Sequence, residues 1–225
     1  TNEYFLYINY FGLKDQMASW LSVKYKDRLI LDCTQAFFMK GNGVSWFFNS
    51  CRKFFGVPDG AYLYVPEGAG LKPPTVSNQR YVTEHLIKRL EGNTSEGYPI
   101  FLQNEDLMDC EITGMSEFSE QLMSGINYTE MKKKRLANYS ALHEKLGDIN
   151  QYNALSADGC VPMCYPLLLL NETADAVKRK LNNIFIPTFW GEVTERSSKG
   201  YEVEKNIAEK LLPLPIDHRY SPSDM

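Results

Sequence analysis

The chain has 225 residues, 44% of them hydrophobic, which is enough for one large domain or two small ones around a real core. Its formal net charge is -4, with one basic block at Lys132-Lys133-Lys134-Arg135, which argues against nucleic acid or an acidic membrane surface as the main partner. No apolar run approaches the length of a membrane span, and no basic segment leads into a hydrophobic stretch at the start, so a cytoplasmic protein is expected. Residues 4–11 read as a buried strand ending at Gly12. Residues 15–25 fit a short helix with Met17, Trp20, Leu21 and Tyr25 on one face. Residues 29–31 form an apolar strand that ends on Asp32; 44–48 and 61–65 are further strands. Strand, helix, strand with continuous apolar strands is the signature of a parallel or mixed α/β sheet. Pro73 and Pro74 break the pattern, 81–90 reads as a helix and 91–99 as a loop.

A second unit is expected from Gly114, so that residues 1–113 and 114–225 form two domains. Residues 115–123 and 128–146 are helical by periodicity. Residues 161–170 read as a strand, and Pro166 within it points to an edge or a bulge. A helix at 173–181, a strand at 184–186 and a helix at 201–210 complete a small α+β domain. The chain opens inside a strand-like run and closes on what reads as the cap and first turn of a helix at 221–225, the pattern expected of a piece of a longer protein.

Five cysteines, Cys33, Cys51, Cys110, Cys160 and Cys164, show no C-x-x-C spacing, and Pro162 interrupts the last pair. Neither a zinc site nor a disulfide framework is expected, and reduced thiols fit best. His85, His143 and His218 are far apart and read as surface or capping residues. The basic block reads as a solvated helix face, and Trp46, Phe47 and Phe48 as sheet core. Arg52 suits either a phosphate or carboxylate contact or an ordinary ion pair.

The residues that carry chemistry lie at two strand ends. Asp32 stands at the carboxyl end of a predicted parallel strand, where open α/β sheets place their ligands. Lys53 follows the next strand, with Ser50 three residues before it. A lysine amine and a nearby carboxylate suit pyridoxal phosphate, which needs a Schiff-base amine and an acid to keep its pyridine nitrogen protonated. On spacing alone the plainer alternative carries more weight: Asp32 caps a turn and Lys53 lies on the surface.

A resemblance changes that balance. Ile30-Leu31-Asp32-Cys33-Thr34-Gln35-Ala36 resembles the segment of acid, two small residues, Gln or His, and Ala in the DegT/DnrJ/EryC1/StrS aminotransferases. These are fold-type-I, pyridoxal-phosphate enzymes that aminate keto sugars carried on nucleotides. Lys53 with Asp59-Gly60-Ala61 resembles that family's lysine followed six residues later by an acid and two glycines. Gly114-Met115-Ser116-Glu117-Phe118, Lys134-Arg135-Leu136-Ala137-Asn138-Tyr139 and Leu211-Leu212-Pro213-Leu214-Pro215-Ile216-Asp217 resemble later family segments in the same order.

The resemblance implies a fold-type-I large-domain portion followed by a small α+β domain, with pyridoxal 5'-phosphate as cofactor. It implies Lys53 as the Schiff-base and proton-moving lysine, Asp32 as partner of the pyridine nitrogen, Gln35 against the ring and Ser50 on the phosphate. An amino-acid donor, a nucleotide-linked keto-sugar substrate, a role in polysaccharide or secondary-metabolite biosynthesis and a homodimer follow from it too, and the region of Trp190 would approach the substrate. The chain departs from the family in a shorter segment between Asp32 and Lys53, in a serine closer to the lysine, and in Ala61 for the second glycine. Ile112-Thr113-Gly114 replaces the Asn-x-Arg whose Asn reaches the neighbouring subunit's cofactor phosphate. The family's phosphate cup and ring-stacking aromatic would precede Thr1. The alternative is a binding or regulatory protein that keeps the fold without transaminating; a dehydratase-like relative would carry His in place of Lys53.

Overall fold

The structure is a computed structural model that describes residues 3–106, 111–152, 157, 159–181, 184–196 and 199–225. Its contacts divide into two units, residues 1–128 and 129–225. The expected division at 113/114 falls within the first of these, because Ser116 and Ser119 are bound to Asp59 and carry their helix with them.

The first unit is built on a sheet of four strands, β1 (Phe5–Ile8), β2 (Leu29–Cys33), β3 (Trp46–Asn49) and β4 (Leu63–Tyr64), in that spatial order. The first three run parallel and β4 returns antiparallel to β3. Helix α1 (Asp15–Tyr25) makes the crossover from β1 to β2. Side chains alternate across the strands. Leu29, Leu31, Cys33 and Phe47 therefore share a face, buried in one cluster with Ala18 and Leu21 of α1 and with Ala36 and Met39.

On the opposite face Ile30, Trp46 and Phe48 are only half-buried, and Tyr4, Leu6 and Leu63 are exposed. Trp46 and Phe48 thus lie outside the core that was expected to hold them; Phe47 alone of the three is in it. The helix is also rotated from expectation. Met17 and Trp20 are exposed, and α1 turns Ala18, Leu21 and Ser22 inward. Trp20 instead stacks under the Lys24 ammonium, 4.8 Å from its ring centre.

β1 stops at Ile8, short of the expected end at 11, because Asn9 diverts the chain. The Asn9 side chain accepts from Lys14 N at 2.9 Å and donates to Asp15 Oδ1 at 2.6 Å, tying the strand exit to the start of α1. Between them Phe11 turns with φ 60. Beyond β4 the expected loop at 91–99 is irregular only as far as Asn93, and a helix begins at Thr94. Helices α2 (Glu84–Leu90) and α3 (Thr94–Asp106) pack as a hairpin, with Pro99 inside α3. Gly97 makes the close approach possible: a Cβ there would meet His85 O at 3.0 Å and the Lys88 Cβ at 3.2 Å. Helix α4 (Glu117–Ser124) follows, capped by Ser116, whose Oγ accepts from Ser119 N at 3.1 Å.

The second unit pairs β5 (Tyr165–Leu168) antiparallel with β6 (Leu211–Leu214), and Pro166 lies opposite Pro213. In a two-stranded sheet each strand is an edge, so both prolines are tolerated. Tyr165, Leu167, Leu211, Leu212 and Ile216 are buried, and helix α5 (Tyr128–Leu146) contributes buried Tyr139 and Leu142. The Tyr139 and Tyr165 rings are 5.1 Å apart. Short helices α6 (Ala174–Lys180), α7 (Gly191–Glu195) and α8 (Glu202–Lys210) complete the unit. The strand expected at 184–186 is irregular chain.

Arg135 corrects the expectation of a fully solvated basic block. It is 2% exposed and donates to Pro162 O and Met163 O, while Lys133 and Lys134 face solvent. One turn later Asn138 donates to the carbonyls of Ile216, Asp217 and Tyr220. The protein is a mixed α/β fold with a four-strand mixed sheet and a small two-strand antiparallel sheet.

Candidate functional site at the carboxyl ends of the parallel strands

β2 and β3 are neighbours in register, Asp32 opposite Phe48 and Cys33 opposite Asn49, so both chains leave the sheet on the same side. At the end of β2 the half-buried Asp32 accepts from Thr34 N at 2.9 Å, an Asx turn that fixes the exit. At the end of β3, Asn49 and Tyr62 exchange hydrogen bonds, and Cys51 N donates to Gly60 O at 3.0 Å. These bonds close residues 51–60 into a loop. Phe54 N and Phe55 N both turn back to Cys51 O, which sets Lys53 on the bend.

An aromatic cluster holds that bend. Phe54 and Phe55 are buried, and their rings lie 5.8 Å and 4.6 Å from Phe37, which also stacks on Tyr128 at 6.2 Å. Phe38 lies 5.7 Å from Phe54. The segment after Asp32 and the segment carrying Lys53 are thereby packed onto each other. The result is a direct contact between them: Lys53 Nζ donates to Thr34 Oγ1 at 3.1 Å.

Lys53 as a residue is exposed, yet protein around its ammonium desolvates it enough to lower its pKa. Next in size, the Asp32 charge opposes that shift; Arg52 adds to it and Glu105 opposes it. Solvent screens part of the effect. The lowering puts more of the amine in the neutral, nucleophilic form than an ordinary lysine has.

The structure thus brings Asp32 and Lys53 together, with Thr34 as the link that was not foreseen. Ser50 follows β3 directly and is half-buried. Gln35 is 8% exposed, and its Oε1 accepts from Phe11 N at 2.9 Å, where it supports the left-handed bend. Arg52 forms an ion pair with Glu105 and lies over the Phe101 ring, the plainer of its two expected roles. His85 is buried, not at the surface: its Nδ1 is 3.3 Å from Asn104 Nδ2, and burial, then Arg89 and Arg52, lower its pKa. His143 is exposed, with Nδ1 3.3 Å from the Tyr165 hydroxyl. Trp190, in the second unit, is half-buried at φ 55 before α7.

Asp59 was seen in the sequence only as part of a pattern. Its carboxylate accepts from Ser116 N at 2.8 Å, Ser116 Oγ at 2.6 Å, Asn78 Nδ2 at 3.0 Å and Ser119 Oγ. Burial pushes its pKa up, but the hydrogen bonds from Ser116, Ser119 and Asn78 together outweigh it and hold the carboxyl below the usual range. The thiols are different. Cys33, Cys51 and Cys164 are buried, and desolvation raises all three, Cys51 to about 12, so they are protonated at neutral pH. Cys110 lies outside the described residues. Among the described residues no group of three His, Cys, Asp or Glu side chains could hold a metal ion, and no helix is long and apolar enough to cross a membrane. Comparison with protein-family models, curated proteins and solved structures finds no match.

Proposed function

We propose that this chain carries the lysine and pyridine-binding carboxylate of a pyridoxal-phosphate-dependent aminotransferase-like protein of fold type I, with its small α+β domain following. The observation that carries this reading is the Lys53–Thr34 contact, which seats a lysine with a lowered pKa beside Asp32 at adjacent parallel strand ends. The order of the segments resembling the aminotransferases along the chain supports it independently.

The donor set fits the cofactor. When bound, pyridoxal phosphate supplies an electron sink for charge left on a substrate carbon. Lys53 would offer the amine for the cofactor aldehyde, and its lowered pKa leaves more of it in the neutral form that can take up a proton than an ordinary lysine has. The Asp32 carboxylate has one oxygen bonded to the Thr34 amide and keeps acceptor capacity for a protonated ring nitrogen. Gln35, already steadied by Phe11, is assigned to orient the ring, and Ser50 to donate to the phosphate. The substrates are an amino-acid donor and a nucleotide-linked keto sugar, in polysaccharide or secondary-metabolite biosynthesis, and the working form is a cytoplasmic homodimer.

The test is a titration of the full-length protein with pyridoxal phosphate, followed by absorbance. A new band near the visible edge is expected for the wild type and none for Lys53→Ala. An identical band in Lys53→Ala refutes the assignment.

A further inference from the structure

The loop closed by Cys51 and Gly60 has two fastenings. One is the aromatic cluster of Phe54 and Phe55 near Lys53. The other is Asp59 at its far end. The donors that meet Asp59 come from two other stretches of chain: Ser116 and Ser119 at the start of α4, and Asn78. These two stretches are themselves joined, since Gly114 N donates to Val76 O and Asn78 N to Gly114 O, both at 2.8 Å. The seat is built tightly. Gly60 has φ 113, and a Cβ on it would come within 2.9 Å of Met115 atoms, so the loop end and the α4 entry fit only with a glycine between them.

We propose that Asp59 is the positioning residue of Lys53: its carboxylate locks the 51–60 loop onto the entry of α4 and so holds the lysine against Thr34 and beside Asp32. The inference rests on the reading of Lys53 as the cofactor-bearing amine. Asp59 does not touch Lys53. It acts through the loop closure, next to Cys51, whose thiol feels its charge. The charged groups around Lys53 itself are Asp32, Arg52 and Glu105. A carboxylate that served only to cap α4 would change the stability of that helix and leave the lysine's environment alone.

Competitive acetic anhydride labelling of the full-length protein, read residue by residue by mass spectrometry across a pH series, separates the two. It reports the titration of Lys53 without any cofactor, with exposed Lys133 as internal reference. In Asp59→Asn and in Ser119→Ala the Lys53 titration is expected to move up, toward that of an ordinary lysine, while Lys133 does not move. Asp59→Glu is expected to restore part of the wild-type profile. A wild-type Lys53 profile in Asp59→Asn, alongside a lowered melting temperature, overturns the proposal. If Asp59→Asn does not fold, an unchanged Lys53 profile in Ser119→Ala overturns it equally. A shifted profile together with no pyridoxal phosphate binding by the wild type supports the positioning role and removes the cofactor reading instead.

Discussion

Asp32 and Asp59 lie in the same unit and are used in opposite ways. Asp59 is 9% exposed and meets four donors, about as many as a carboxylate's lone pairs can serve. Asp32 is half-buried, and among the described residues only the Thr34 amide hydrogen-bonds its carboxylate. A carboxylate with its acceptor sites filled fastens chain segments; one with sites left over, beside a lysine, is available to a ligand. The two predict different consequences of losing the charge.

The largest contrast is in rate. Asp32→Asn removes the anion that would hold the ring proton, and transamination is expected to fall roughly a hundred-fold or more. Its unfolding free energy should stay within about 0.5 kcal/mol of wild type, as for other substitutions outside the packed core. Unchanged turnover would show that Asp32 holds no ring proton. Asp59→Ala should do the reverse to stability. Ser116, Ser119 and Asn78 lose their acceptor together, and urea unfolding should report a loss of about 3 kcal/mol. A loss too small to measure would show that the network holds nothing.

Acid sharpens the same point. The folded-state pKa of Asp59 is lowered, so its stabilising contribution is present above the ordinary carboxylate pKa and is lost as pH falls through the folded value. Stability of the wild type should drop below about pH 4, the ordinary carboxylate range, and the drop should be shallower in Asp59→Asn. Parallel acid slopes in the two proteins would contradict the shift. The smallest effect concerns Lys53. Its pKa is lowered on folding, so its charge is costlier folded than unfolded at neutral pH. Lys53→Met should therefore melt at or slightly above the wild-type temperature. The gap should close as pH rises from the lowered value through the ordinary lysine value, which scanning calorimetry across that range can follow.

The parts of this account that the sequence discloses are those set by local pattern. The helices at Asp15–Tyr25 and Tyr128–Leu146 have the expected bounds, because the spacing of apolar residues is a local signal. That Asp32 and Lys53 would follow neighbouring strand ends was legible for a related reason: parallel strands in sequence order put their carboxyl ends side by side. Other features depend on distant partners. The turn of α1 toward Ala18 in place of Met17 and Trp20 is decided by the sheet beneath it. Helix α3 was hidden by Gly97 and Pro99, and Gly97 is there for the approach of α2, not as a break. Phe11 reaches Gln35 across 24 residues and Asp59 reaches Ser116 across 57, contacts that no local pattern announces. Arg135 hid in a run of lysines, since the charge block does not reveal which of its members turns inward.

The most direct test of the central claim is to add pyridoxal phosphate to the full-length protein, reduce with borohydride and map the modified peptide by mass spectrometry. A pyridoxyl group is expected on Lys53, at one per chain. A pyridoxyl group on a different lysine, or none on any, would contradict it.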